Sequence, residues 1–208
     1  MFRRFTEVAS AAALSALLAA CQSAPVGQAA DSRASPLPQG TVAPEDVDKK
    51  SLALFNDSIA AMEMQRWQDA EILLGELTAR QPRLSGPWVN LGIVQSELGN
   101  DEAAEASLHK AIEVNPNNCA AYTELGLLRR RAGDFPAAEA NYLACVQRVP
   151  EFREAHLNLG ILYELYLGRL PEALDAYRAY LALLDGEDQR VAGWVSNLER
   201  RLGVERES

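Results

Sequence analysis

The feature that most constrains this chain is a recurrence every 34 residues. Trp88, Leu91-Gly92, Ala104, Leu108, Ala111 and Pro116 return one period later as Tyr122, Leu125-Gly126, Ala138, Tyr142, Cys145 and Pro150. One period earlier stand Leu54, Ala70, Leu74, Leu77 and Pro82. A further step forward finds His156 and Leu159-Gly160, after which one inserted residue stretches the spacing to 35 and gives Ala173 and Tyr177. A period of this length marks one supersecondary unit stacked on copies of itself, each copy covering the apolar face its neighbour leaves open. The first copy is degenerate, with Asp57-Ser58 in place of Leu-Gly.

The unit reads as an antiparallel pair of helices. At 100° per residue, Trp88, Leu91, Gly92, Val94, Gln95 and Leu98 fall in one arc, and only Gln95 is polar there. Gly92 in mid-helix costs about 1 kcal/mol relative to alanine. It recurs at Gly126 and Gly160, so the absent side chain is read as letting the partner helix approach closely. Gly99-Asn100-Asp101 and Gly133-Asp134 supply a left-handed stop followed by an N-cap, closing one helix and opening the next.

At these aromatic-x-x-Leu-Gly and Ala-x-x-x-aromatic residues the chain resembles the tetratricopeptide repeat family, over Ser51 to about Asp185. The resemblance implies an all-α solenoid of four helix-turn-helix repeats, at about 51–84, 85–118, 119–152 and 153–187, within a domain spanning 46–203. It also implies that the first helix of each pair lines a concave surface. After the fourth pair, Asp185-Gly186-Glu187-Asp188 makes a turn, and Val191, Trp194, Val195, Leu198 and Leu202 then recur at helical spacing. This is read as a capping helix over about 188–203, with Glu199-Arg200-Arg201 toward water; a helix offered to a partner is the alternative.

The N-terminal 20 residues combine a basic start at Arg3-Arg4, an apolar run from Val8 to Ala20 and small residues before Cys21, the pattern of an export signal. That apolar run is too short to span a bilayer of about 30 Å. Leu18-Ala19-Ala20-Cys21 resembles the lipobox of bacterial lipoproteins, which implies acylation of Cys21 as the mature N-terminus. Gln22 in place of aspartate then points to the outer membrane of a two-membrane bacterium. Residues 21–45 form the lipidated N-terminus and a tether rich in Pro, Gly, Ala, Ser and Gln. Such a segment is too poor in apolar residues to fold, and its r.m.s. reach is about 25–30 Å.

The net charge is −9, and removing Arg3, Arg4 and Glu7 makes it −10. That balance argues against a nucleic-acid partner and against charge-driven binding to anionic lipid. The sequence has two histidines, His156 in the slot of Trp88 and Tyr122, and His109 beside Lys110. No metal-ligand spacing, nucleophile elbow or phosphate loop is present, so the reading has no catalytic residue, no metal and no cofactor.

Cys119 and Cys145 remain once Cys21 is acylated. Counted from the turn near Gly133 they stand at nearly equal heights on the two helices of one hairpin, which suits a disulfide. Helix axes about 8–10 Å apart, and Ala111 in the slot of Cys145, suit two small packed side chains instead.

Arg129-Arg130-Arg131 stands out in an acidic chain. It is read either as an anion clamp or as a helix end in which Arg131 pairs with Glu97 and Arg130 with Glu164. A second apolar stripe follows the 34-residue step along the first helices: Phe55 and Ile59, Val89 and Ile93, Thr123 and Leu127, Leu157 and Ile161. With Met62, Ser96, Arg130 and Glu164 as a rim, it predicts a groove for an amphipathic or extended apolar segment of a protein partner. The expected function is a lipid-anchored periplasmic scaffold that recruits, for example, cell-wall enzymes. The alternative is a pilotin-like assembly factor for a pilus or secretion complex.

Overall fold

The computed structural model describes residues 47–204. The signal segment, Cys21 and the whole tether lie outside the described residues. Four antiparallel hairpins follow one another: α1 (Lys49–Glu63) with α2 (Trp67–Arg80), α3 (Ser85–Glu97) with α4 (Asp101–Val114), α5 (Cys119–Arg131) with α6 (Phe135–Arg148), and α7 (Arg153–Leu162) with α8 (Leu170–Ala182). α7 runs on into a π-helical turn, Tyr163–Leu167, and α9 (Gln189–Leu202) ends the described array. No strand occurs among the described residues. Each helix packs on the next in sequence, and the first helices also touch across repeats, α3 with α5 and α5 with α7. Second helices of successive repeats make no comparable contact, so the array curves with its first helices inside.

The stops have one geometry. Gln65, Gly99, Gly133 and Gly168 all have positive φ, at 55°, 81°, 78° and 66°. The residue after each closes back on the helix, Arg66 N to Ala61 O, Asn100 N to Gln95 O, Asp134 N to Arg129 O and Arg169 N to Tyr163 O. The first three bonds reach five residues back and the fourth reaches six. The inserted residue of the fourth repeat is therefore absorbed inside the helix, where it widens one turn into π geometry before the stop. Side-chain caps are fewer than the sequence suggests: Asp134 accepts from Ala137 N, but Asn100 makes no side-chain cap.

The close-approach reading of the glycines holds in atomic detail. A Cβ on Gly92 would fall 2.7 Å from Leu108 Cγ, on Gly126 2.3 Å from Tyr142 Cε1, and on Gly160 2.4 Å from Tyr177 Cδ1. Those three partners are essentially fully buried, as are Ala70, Ala104, Ala138 and Ala173 one turn earlier on the second helices. Ser58, the first repeat's substitute for glycine, is also fully buried, and its hydroxyl donates to Phe55 O at 2.7 Å. The aromatic slot repeats a polar bond: Trp88 Nε1 donates to Pro82 O, and His156 Nε2 lies 2.7 Å from Pro150 O, each tying a first helix to the loop before it.

α9 caps the array with Val191, Val195 and Leu198, and its Trp194 ring lies 5.3 Å from that of Tyr177. Its apolar face is thus spent on the fourth repeat. The expectation that Glu199-Arg200-Arg201 faces water holds for Arg200 and Arg201, which are exposed, and is corrected at Glu199, whose side chain is largely covered. Glu199 pairs with Arg178 of α8 at 3.0 Å, and Arg201, while exposed, reaches Glu164 of the π turn at 3.2 Å, because α9 packs along α8.

Candidate functional site: the inner face of the first helices

The first helices bring the second apolar stripe to the inner face, but they do not leave all of it open. Val89 is 2% exposed and belongs to a buried cluster with Ala121, Leu125 and Leu128 of the next repeat, so it is removed from the groove. The physical reason is that a solenoid helix has two neighbours, its own partner and the next first helix, and Val89 faces the second. Ile93 is half-buried between this cluster and the preceding one, and Ile59 packs on the preceding one. Leu157 and Ile161 lean on the C-terminal core. Phe55 and Leu127 are half-buried and join none of these clusters. Met62, expected on the rim, is 3% exposed and packs in the first-repeat core. The usable apolar surface is therefore Phe55, Leu127 and the outer flanks of Ile59, Ile93, Leu157 and Ile161.

The arginine run has other partners than the sequence suggests. Arg129 bonds Glu105, and Arg131 bonds Ser96 and lies 3.4 Å from Asp101, not Glu97. Glu164, the expected partner of Arg130, accepts from Arg201 and from the Tyr177 hydroxyl. Arg130 is left with its guanidinium 5.6 Å from the Tyr166 ring centroid and a buried Nη1 without a hydrogen-bond partner. Thr123 Oγ1 and Tyr142 Oη are likewise buried and unpartnered. Burial raises the Tyr142 phenol well above its ordinary range.

Next to Thr123, Glu124 fills the slot that holds Asn90 and Asn158 in the neighbouring repeats. Burial pushes its carboxyl up to about 7; Arg131 pulls the other way and Glu97 adds to the rise. Asn158 spends its amide on Glu154 O, whereas Asn90 is 8% exposed and lines a pocket of about 290 Å³ with Asn115, Asn117 and Asn118.

Cys119 and Cys145 are joined by a disulfide, with Cα atoms 4.9 Å apart. The objection from axis spacing fails because Cys119 is the first residue of α5 and Cys145 is in the last turn of α6, and there the backbones approach more closely than the axes. The bridge lies in a small cluster with Tyr122 and Ala155, at the end of the hairpin opposite the arginine run.

Among the described residues no group of His, Cys, Asp and Glu gathers as a metal site, and no helix is long and apolar enough to cross a membrane. His109 is exposed, 3.4 Å from Glu105.

Two tetratricopeptide-repeat family models match the chain, over residues 86–118 and 123–188. No curated protein matches. Among solved structures, pilF of Pseudomonas aeruginosa superposes with a TM-score of 0.67 at 17% identity, covering 76% of this chain and 71% of that one. A thermophilic TPR protein of Thermus thermophilus gives 0.64 at 24% identity, covering 74% and 84%. MamA from Desulfovibrio magneticus RS-1 gives 0.59 at 20% identity, covering 76% and 88%. Likeness at these identities is likeness of fold. With its helix pairs at 34-residue spacing and its matching family models, the chain carries tetratricopeptide repeats folded as an all-α solenoid, the architecture of a protein-interaction scaffold.

Proposed function

We propose that this protein is a lipid-anchored scaffold of the cell envelope that captures a protein partner on the inner face of its first helices. The observation that carries the reading is Leu127, with Phe55. Each presents apolar surface on that face without belonging to the buried clusters between repeats, and a solvated face has no need of them. Leu18-Ala19-Ala20-Cys21 supports acylation at Cys21, and Gln22 in place of aspartate supports, in a two-membrane bacterium, the outer membrane with the domain facing the periplasm. The partner's matching element is an amphipathic helix or an extended apolar segment.

The test compares affinity capture from crosslinked envelopes by the wild-type protein and by Phe55→Asp/Leu127→Asp. The reading expects one partner to be lost while helicity and melting are retained, since both positions are only half-buried. Equal capture by a folded double variant sinks it. Recovery of a cell-wall hydrolase, or of a pilus or secretion component, separates the adaptor role from the assembly role. Cys21→Ser should release the protein from membranes or leave it unprocessed. An unmodified, soluble mature form of the wild type would remove the anchor.

A further inference from the structure

Where the second and third repeats meet, on the edge of the array opposite the hairpin turns, a pocket of about 290 Å³ opens between the starts of α3 and α5 and the loop before α7. No charged side chain lines it, although 24% of the chain is charged. Its polar groups are chiefly amides, Asn90, Asn115 and Asn118 among them, and its apolar wall is Ala120, Val149 and Phe152. The disulfide pins that wall: Cys119 lines the pocket, and its partner Cys145 accepts the backbone bond of Val149 N at 2.8 Å.

The amides are held in different ways. Asn115 Oδ1 accepts from Asn117 N at 3.0 Å, and Asn118 Oδ1 caps α5 by accepting from Ala121 N at 3.2 Å. Each of these oxygens is spent, and each amino group is left to donate. Asn90 is free at both ends. Asn141 and Asn158, the half-buried asparagines of other helices, donate back to the carbonyl four residues earlier, at 2.8 and 2.9 Å. Asn90 is only 8% exposed, makes no such bond, and has no hydrogen-bond partner among the described residues. A polar group covered to this extent costs stability until something bonds it, and this one lines an open pocket.

We infer that this pocket binds one N-acetylated sugar ring of the cell-wall glycan. The lining sets the class. With neither cation nor carboxylate, it suits a neutral ligand; with two fixed donors beside one free amide, it suits several acceptors and a donor; with an apolar wall, it suits a methyl group or a C–H face. An acetamido group next to ring hydroxyls has all three. At about 290 Å³ the pocket stands at the low end of small-molecule sites, about 300–1,000 Å³, which fits a single ring better than an extended peptide of several residues. Asn90 takes the acetamido group, Asn115 and Asn118 donate to hydroxyl oxygens, and the acetyl methyl packs on the apolar wall. The wall as the source of the sugar rests on the envelope placement proposed above; the sugar chemistry does not.

The test is calorimetric titration of the full-length protein, in a detergent without a sugar headgroup, with the β-1,4-linked trimer of N-acetylglucosamine, its deacetylated counterpart and the corresponding glucose trimer. The acetylated trimer should bind at least 10-fold more tightly than either of the others. Asn90→Ala should weaken it about 10-fold and, because it removes an unpartnered amide, should melt no lower than the wild type. Gly86→Leu puts a side chain on a lining glycine with nothing within 4 Å of its would-be Cβ, so it should weaken binding as much while the fold is kept. Phe55→Asp/Leu127→Asp should bind the trimer like the wild type, which separates this site from the capture reading. Isolated wall sacculi should retain the wild type and not Gly86→Leu; trimer binding without that retention overturns the wall as the source. No binding by the folded wild type, equal binding of acetylated and deacetylated trimers, or indifference to both pocket variants overturns the site. So does loss of the captured protein in Asn90→Ala without any sugar binding, which gives the pocket to that partner.

Discussion

Gly126 and Tyr142 define how closely the third hairpin can close: a Cβ on the glycine would stand 2.3 Å from the Cε1 of a ring that is fully buried. The ring cannot yield, because it lies in the core shared with the fourth repeat, against Leu159 and Leu162. Gly126→Ala is therefore expected to destabilise by roughly 2–4 kcal/mol, beyond the usual overpacking cost of about 1–3 kcal/mol, since backbone must move. Gly75→Ala is the control. Gly75 is inside α2 with nothing within 4 Å of its would-be Cβ, so alanine should stabilise by about 0.5–1 kcal/mol. Thermal melts followed by circular dichroism read both signs, and equal melting of the two variants would refute the packing account.

Gln65 occupies the left-handed stop that Gly99 and Gly133 occupy in the next two repeats. A side chain at φ 55° is strained, so Gln65→Gly should raise stability by about 0.5–1 kcal/mol despite glycine's larger loss of chain entropy. Denaturant titration checks it; a lowered midpoint would show that Gln65 makes a compensating contact.

The Cys119–Cys145 bridge closes a loop with a sequence separation of 26, worth about 3–4 kcal/mol in the chain-entropy picture. Reduction, or Cys119→Ser with Cys145→Ser, should lower the melting temperature by roughly 10 °C. Protein exported to an oxidising compartment should show neither thiol reactive with a maleimide after unfolding. Labelling of both without prior reduction would refute the bridge.

Glu124 makes the stability depend on pH in the direction opposite to most carboxylates. Its folded pKa of about 7 lies above the ordinary 4.5, so between those values the folded chain holds a proton that the unfolded chain has lost. Stability then falls as pH rises through that window. For a half-buried group the loss is on the order of 1–2 kcal/mol, complete by about pH 8. Glu124→Gln should flatten this part of the profile and raise the melting temperature at pH 8 more than at pH 5. A variant that shifts both equally would refute the assignment.

The hairpin unit, its period and the stops at Gly99 and Gly133 were legible in the sequence, because these rest on contacts within one repeat, whereas the stops at Gln65 and Gly168 came only with the structure. Gly92 against Leu108, Gly126 against Tyr142 and Gly160 against Tyr177 are all pairs at fixed spacing, and helical periodicity alone exposes them. It likewise located the inserted residue of the fourth copy and the apolar face of α9. Tertiary structure decided what depends on the neighbour. Val89 and Ile93 stand one turn apart on the same stripe, yet one is core and the other half-open, since the angle between successive repeats sets which turn meets the next helix. The same angle brings Arg131 to Asp101 instead of Glu97, and it lays α9 where Arg201 takes Glu164 and leaves Arg130 without an acid. The inserted residue became a π turn for a related reason: with the stop at Gly168 and the packing of Gly160 on Tyr177 both fixed, the helix between them had to widen.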